Sequence, residues 1–164
     1  MLQEKIWVIK MDYYSGIAKG YNELYLEEQK EKIELACSLV EIKGLVLDIG
    51  GGTGVASLFF DNLVVLDPNV DMLERCSKSV LCVKGSAESI PFEYGVFDAV
   101  ISFTALHHCD IDKTVKEIKR VSAENCVYAF SILKKASNFN KVVSVLKKEF
   151  DLKEFDAGKD VLLI

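Results

Sequence analysis

Half of the 164 residues are apolar and the formal charge is −5, which suffices for a core without metal or disulfide staples and is the wrong sign for a surface built on phosphates. The five cysteines, Cys37, Cys76, Cys82, Cys109 and Cys126, are odd in number, and no two have the spacing of a zinc or redox site. No apolar run reaches the ~18 residues of a membrane span, so the expectation is one domain in a reducing cytoplasm, with no membrane role and no extended nucleic-acid surface. The charge is uneven: residues 46–112 hold three basic and ten acidic side chains, whereas residues 113–164 hold eleven basic and seven acidic ones. An acidic half suits a cationic ligand.

In chain order, residues 20–41 read as a helix, with Tyr21, Leu24, Tyr25, Ile33, Ala36, Leu39 and Val40 on one side. Glu27, Glu28, Glu31 and Glu34 alternate with Lys30 and Lys32 on the other, an acidic stripe expected to face solvent with pairs such as Glu28 and Lys32. Tyr13, Tyr14 and Tyr21 read as packing residues on composition alone.

Residues 45–49 are an apolar run of strand length that passes into Gly50, Gly51, Gly52, Thr53 and Gly54, with a helical pattern from Val55. Glycines there leave main chain exposed to a ligand and allow positive φ in the turn. Asp48 is costly to bury as a charge unless something pairs with it, and a cationic ligand group would serve. The spacing is selective. A dinucleotide fingerprint needs glycine at 55 or 57, where the chain has Val55 and Ser57, and no lysine follows the glycines as a phosphate loop requires. A nicotinamide-dependent reductase is disfavoured by the same two residues. What remains, Asp48-x-Gly50-x-Gly52-x-Gly54, resembles the first motif of the class I S-adenosylmethionine-dependent methyltransferase family, of its small methyltransferase-11-like type.

Residues 63–66 form a second apolar run, ending in Asp67, Pro68 and Asn69. An acidic residue at a second strand end can accept from both hydroxyls of a ribose. VVLDPNVDML looks like the family's second motif, in which the acidic residue, here Asp67, holds the ribose, and an apolar one, here Met72, lies against adenine. A short helix is expected over 70–78 and a third strand over 80–84. Gly85, Ser86, Ala87 and Glu88 resemble the family's third cofactor segment, with serine where aspartate is usual; Glu88 also reads as a surface residue.

Residues 97–103, FDAVISF, are apolar on both faces except at Asp98 and Ser102, as in a central parallel strand. SFTALHHC follows, where a doubly wound sheet opens its crevice. Ser102 and Phe103 are expected to border the cofactor there. His107 or His108 can take a proton near neutral pH if the acceptor must lose one, and each also reads as a cap or packing residue. With Cys109 they are too close in sequence for a chelating metal site. A helix from Asp112 as N-cap to Val121, a strand over 126–133, a helix over 138–150 and a closing hairpin complete the pattern.

Alternating strands and helices with a final hairpin give an α/β, doubly wound Rossmann-like sheet, mostly parallel with an antiparallel C-terminal edge. The resemblance implies seven strands, a lid and first helix over 1–42, and a core over 43–164. It implies that Tyr21 closes over the cofactor, and that S-adenosylmethionine is used and S-adenosylhomocysteine released. The Pro-Pro-aromatic segment of the family's amide and nucleobase-amine methylating members is absent, so the acceptor is left open between a small molecule and a macromolecule. Some small relatives need a zinc-binding activator protein, and an activator or homo-oligomer is a partner expectation here. A non-catalytic protein that binds the cofactor is the alternative. Gly52→Val is expected to abolish cofactor binding while leaving the unfolding of the ligand-free protein nearly unchanged.

Overall fold

The structure, a computed structural model, describes residue 16 and residues 21–164, with side chains from residue 25 onward. Trp7, Tyr13, Tyr14 and the Tyr21 side chain lie outside the described residues. Helix α1 spans Tyr21–Leu39. The strands are β1 (Val46–Ile49), β2 (Leu63–Asp67), β3 (Leu81–Lys84), β4 (Phe97–Phe103), β5 (Ser122–Leu133), β6 (Glu154–Ala157) and β7 (Asp160–Leu163). Between them lie α2 (Val70–Leu73), α3 (Ile111–Val121), α4 (Phe139–Phe150) and two 3-10 turns, Val55–Leu58 and Leu106–His108.

The seven strands form one sheet in the order β3-β2-β1-β4-β5-β7-β6, parallel from β3 to β5 and antiparallel at β7 and β6. Every residue of β1 and β2 is buried, which is why their sequences are continuous apolar runs rather than alternating ones. On one face Leu47, Ile49, Leu66, Val100 and Phe130 pack under α3 and α4. On the other, Val46, Val65, Ala99, Ile101 and Leu162 pack against Ile33 and Ala36 of α1. Successive β1 residues go to opposite faces, the period-2 rule. The chain winds outward from β1 through β2 to β3, then returns to β4 beside β1 and winds the other way. That reversal opens a crevice beyond the carboxyl ends of β1 and β4.

The expected helix after the glycines is a single 3-10 turn. Eight residues separate Gly54 from Leu63, which leaves no room for a full crossover helix. The helix expected over 70–78 stops at Leu73; Asn69 caps it, and a turn in which Val80 donates to Ser77 follows. No helix joins β3 to β4. There Arg120 donates to the carbonyls of Ile90 and Phe92, each at 2.7 Å, while Glu117 accepts from Ile90 N and pairs with Arg120. These two α3 side chains satisfy backbone groups that a helix would have satisfied itself.

Helix α3 is capped by Asp110, whose carboxylate accepts from Lys113 N, and not by Asp112, which pairs with Lys141 across to α4. Its apolar residues Ile111, Val115, Ile118 and Val121 are buried at spacings of three and four, a helical stripe. The acidic face of α1 holds a second difference. Glu28 and Lys32 do pair, at 2.9 Å, but Lys32 is only 4% exposed and reaches inward.

Candidate functional site

Beyond the ends of β1, β2 and β4 lies a cleft of about 810 Å3, mouth included, lined among others by Gly50, Gly52, Asp67, Met72, Ala87 and His108. Its foundation is the turn after β1. Gly50 donates to Leu66 O at 2.7 Å, and Gly50, Gly52 and Gly54 all have positive φ, a region that L side chains rarely occupy.

The glycines also make room for the protein's own atoms. A Cβ on Gly50 would sit 2.4 Å from Ala105 Cβ, one on Gly51 2.5 Å from an Asp48 carboxylate oxygen, and one on Gly52 2.8 Å from Met72 Cε. The loop is therefore packed against β4's continuation, Asp48 and α2 before any ligand arrives. This corrects the expectation for Gly52→Val: the substitution would strain the ligand-free loop as well as fill the cleft.

Asp67, at the end of β2, is 8% exposed. Its Oδ2 accepts from Gly52 N at 3.0 Å and its Oδ1 from Asn69 N at 2.8 Å. Burial pushes its carboxyl above the ordinary carboxylate range, a rise that these two donors only partly offset. Each oxygen keeps a further lone pair. At Asp48, burial, reinforced by the charge of Asp67, pushes the carboxyl up to about 7. It faces a smaller cleft with Gln29, Ile33, Gly51, Val55 and Ala56, which shares Gly50 and Phe103 with the larger one.

Pro68, Gly85, Ser86 and Phe103 join the larger cleft's wall. Four other sequence-predicted residues are not in it. Gly54 faces Cys76 and Val65. Glu88 accepts from Asp110 N at 2.9 Å, tying the β3–β4 loop to the start of α3. Ser102 is fully buried and donates to Ile49 O at 2.7 Å, joining β4 to β1. His107 is 7% exposed, its carbonyl accepting from Asn138 Nδ2, and its ring centroid lies 4.1 Å from that of His108. The two histidines therefore divide, one into the cleft wall and one behind it.

Asn69, Thr104, Ala105 and Cys109 also line the cleft; the last three fall in the SFTALHHC stretch expected at the crevice, though none of the four was singled out as a site residue. Asn69 carried a signal, since Asp-Pro-Asn ahead of a helix offers an N-cap. Nothing in the sequence signalled the φ of 61° at Thr104, a value unexpected for a β-branched residue.

A reversal of strand order beside a glycine turn, with a carboxylate at the next strand end, defines the class of doubly wound folds that hold a nucleoside-bearing ligand. Within that class the chain belongs to the S-adenosylmethionine-dependent methyltransferase family: the family model described as Methyltransferase domain matches residues 47–130, about half of the chain, from β1 into β5. MJ1252, an uncharacterized protein of Methanocaldococcus jannaschii, is 34% identical over 157 residues, covering 84% of this chain and 61% of the relative. The chain thus spans about three fifths of that relative's length. A Thermotoga maritima S-adenosylmethionine-dependent methyltransferase superposes with a TM-score of 0.72 over 92% of this chain and 95% of its own, at 17% identity, a likeness of fold. A chain from the complex of the Haloferax volcanii Trm112 methyltransferase activator with a methyltransferase superposes at 0.68, covering 89% of this chain and 77% of its own, at 16% identity. S-adenosylmethionine is the cofactor of this family. Among the described residues no helix is long and apolar enough to cross a membrane, and no group of three or more acidic, histidine or cysteine side chains could hold a metal ion.

Proposed function

We propose that this chain is a methyltransferase that binds S-adenosylmethionine in the cleft at the ends of β1, β2 and β4. The observation that carries the reading is Asp67, which stands at the β2 end with both oxygens anchored by backbone donors and spare lone pairs at the cleft wall. It would hold the ribose hydroxyls. Leu66, Met72 and Ala87 supply an apolar surface for adenine, with Gly85 and Ser86 beside them offering polar groups at the ring edge. The methionine end would run along Gly50 and Gly52, toward Asp48. When bound, the cofactor supplies a methyl group on a sulfonium, already activated toward in-line displacement.

The residues then have alignment and water exclusion as their main tasks. Phe103, Thr104, Ala105 and His108 bound the cleft on its β4 side. His108 is the histidine placed to remove a proton from an acceptor that must lose one, with His107 packed against its ring. The family's lid position falls on Tyr21, whose side chain is outside the described residues.

Among the described residues the β4 side offers few side chains for recognising a large acceptor, whereas specific complexes bury about 800 Å2 on each partner. A partner protein or second copy would extend it, and the neighbour bound to an activator supports this reading. The assay is transfer of label from S-adenosylmethionine to fractionated small molecules, RNA and protein of a cell extract. Label should appear in one fraction and fall at least tenfold with Asp67→Ala at sub-saturating cofactor; no transfer to any fraction, with or without added activator, would contradict the enzymatic reading and favour the non-catalytic one.

A further inference from the structure

Thr104, the residue directly after β4, has a φ of 61°, a conformation that costs a β-branched side chain energy and persists only where its surroundings enforce it. What enforces it is a buried polar cluster drawn from three distant elements. Thr104 N donates to both the carbonyl and the Oγ of Ser131 in β5, at 3.0 and 2.9 Å. Its hydroxyl donates to Asp160 Oδ2 in β7 at 2.7 Å, and Ser131 Oγ donates to the same oxygen at 2.9 Å. Lys32, reaching in from α1, gives its Nζ protons to Thr104 Oγ1, Glu28 Oε1 and Asp160 Oδ2, at 2.9, 2.9 and 3.1 Å.

This cluster is a poor device for stability alone. Asp160 is fully buried and its Oδ1 has no hydrogen-bond partner among the described residues, and a buried ion pair of this kind is often matched or bettered by apolar residues of equal volume. An incompletely satisfied buried carboxylate calls for another explanation. Its position supplies one. Three of its groups converge on Thr104, the strained residue from which the chain turns into Ala105, Leu106, His107 and His108, and Ala105 lies against the gap left by the missing Cβ of Gly50.

We propose that Lys32, Asp160 and Ser131 are positioning residues, which hold Thr104 in its left-handed conformation and so set the turn that presents His108 to the cleft. The proposal deepens the reading of the cleft as the methyl-transfer site and rests on it for its purpose, while the geometry itself is testable without cofactor. Glycine takes positive φ without strain. Once glycine stands at 104, the turn no longer needs the cluster.

The protein has two histidines, His107 and His108, so imidazole carbon–proton resonances of the ligand-free protein report this turn directly. Asp160→Asn and Thr104→Val should each shift and double both histidine signals. Thr104→Gly, which lacks the hydroxyl just as valine does, should keep the wild-type signals, and adding it to Asp160→Asn should restore them. A folded Asp160→Asn or Thr104→Val protein with wild-type histidine signals would overturn the proposal, as would a Thr104→Gly variant as perturbed as Thr104→Val. The valine and glycine pair serves even if Asp160→Asn does not fold. Failure of the cofactor reading shows separately, as wild-type His108 signals that stay unmoved when S-adenosylhomocysteine is added.

Discussion

Asp48 joins the chain's local chemistry to its ligand. A carboxyl pushed up to about 7 by burial and by Asp67 is largely protonated below neutral pH and gains charge above it, and a cationic ligand should favour the charged form. S-adenosylmethionine should therefore bind more tightly at pH 8 than at pH 6, and Asp48→Asn should flatten that dependence, which calorimetric titration across the range would check. The effect on folding has the opposite sense. Because the folded value lies above the ordinary 3.8, the favourable contribution of Asp48 is complete below about pH 4 and is lost as pH rises to about 7. In the ligand-free protein, Asp48→Asn should then match wild type in denaturant stability at pH 4 and exceed it at pH 8. This residue was legible in the sequence, since an aspartate inside an apolar run announces its own cost. Thr104 was not, because its strain comes from side chains 27 to 72 positions away.

At the scale of elements, periodicity located every strand, but capping and loop length decided where the helices stop. Asp110 and Asp112 both look like caps for α3, and sequence reasoning chose Asp112. In the structure the Asp110 side chain accepts from Lys113 N while Asp112 forms an exposed pair with Lys141. Asp110→Ala should cost about 1 kcal/mol in urea denaturation, and Asp112→Ala less than about 0.5 kcal/mol, the scale of a surface pair. Equal costs would reverse the assignment. Lys32 shows the same limit from another side: its i, i+4 partner Glu28 was readable, whereas its burial against Asp160 depends on β7 docking beside β5. The glycine loop was readable as a motif. That its glycines accommodate Ala105, Asp48 and Met72 as well as a ligand required the packed chain.

For the whole molecule, alternation and the closing hairpin indicated a doubly wound sheet with an antiparallel edge and a crevice beside SFTALHHC, while seven strands came from the family resemblance and their full order from the folded chain. Acceptor identity came from none of these, because the β4 side of the cleft is a few residues wide and carries no distinctive motif. If a partner completes it, turnover of labelled cofactor should rise at least tenfold, about 1.4 kcal/mol of barrier, when a Trm112-type activator is added or when light scattering shows a dimer; fast, selective turnover by a monomer alone would remove the need for one. The central claim is that the cleft holds the cofactor through Asp67. Its most direct test is calorimetric titration of the wild-type chain and Asp67→Ala with S-adenosylhomocysteine. One site per chain is expected in wild type, weakened roughly tenfold to a hundredfold in the variant by loss of a charged acceptor. Undiminished affinity in a folded Asp67→Ala protein, or no binding to wild type, would contradict it.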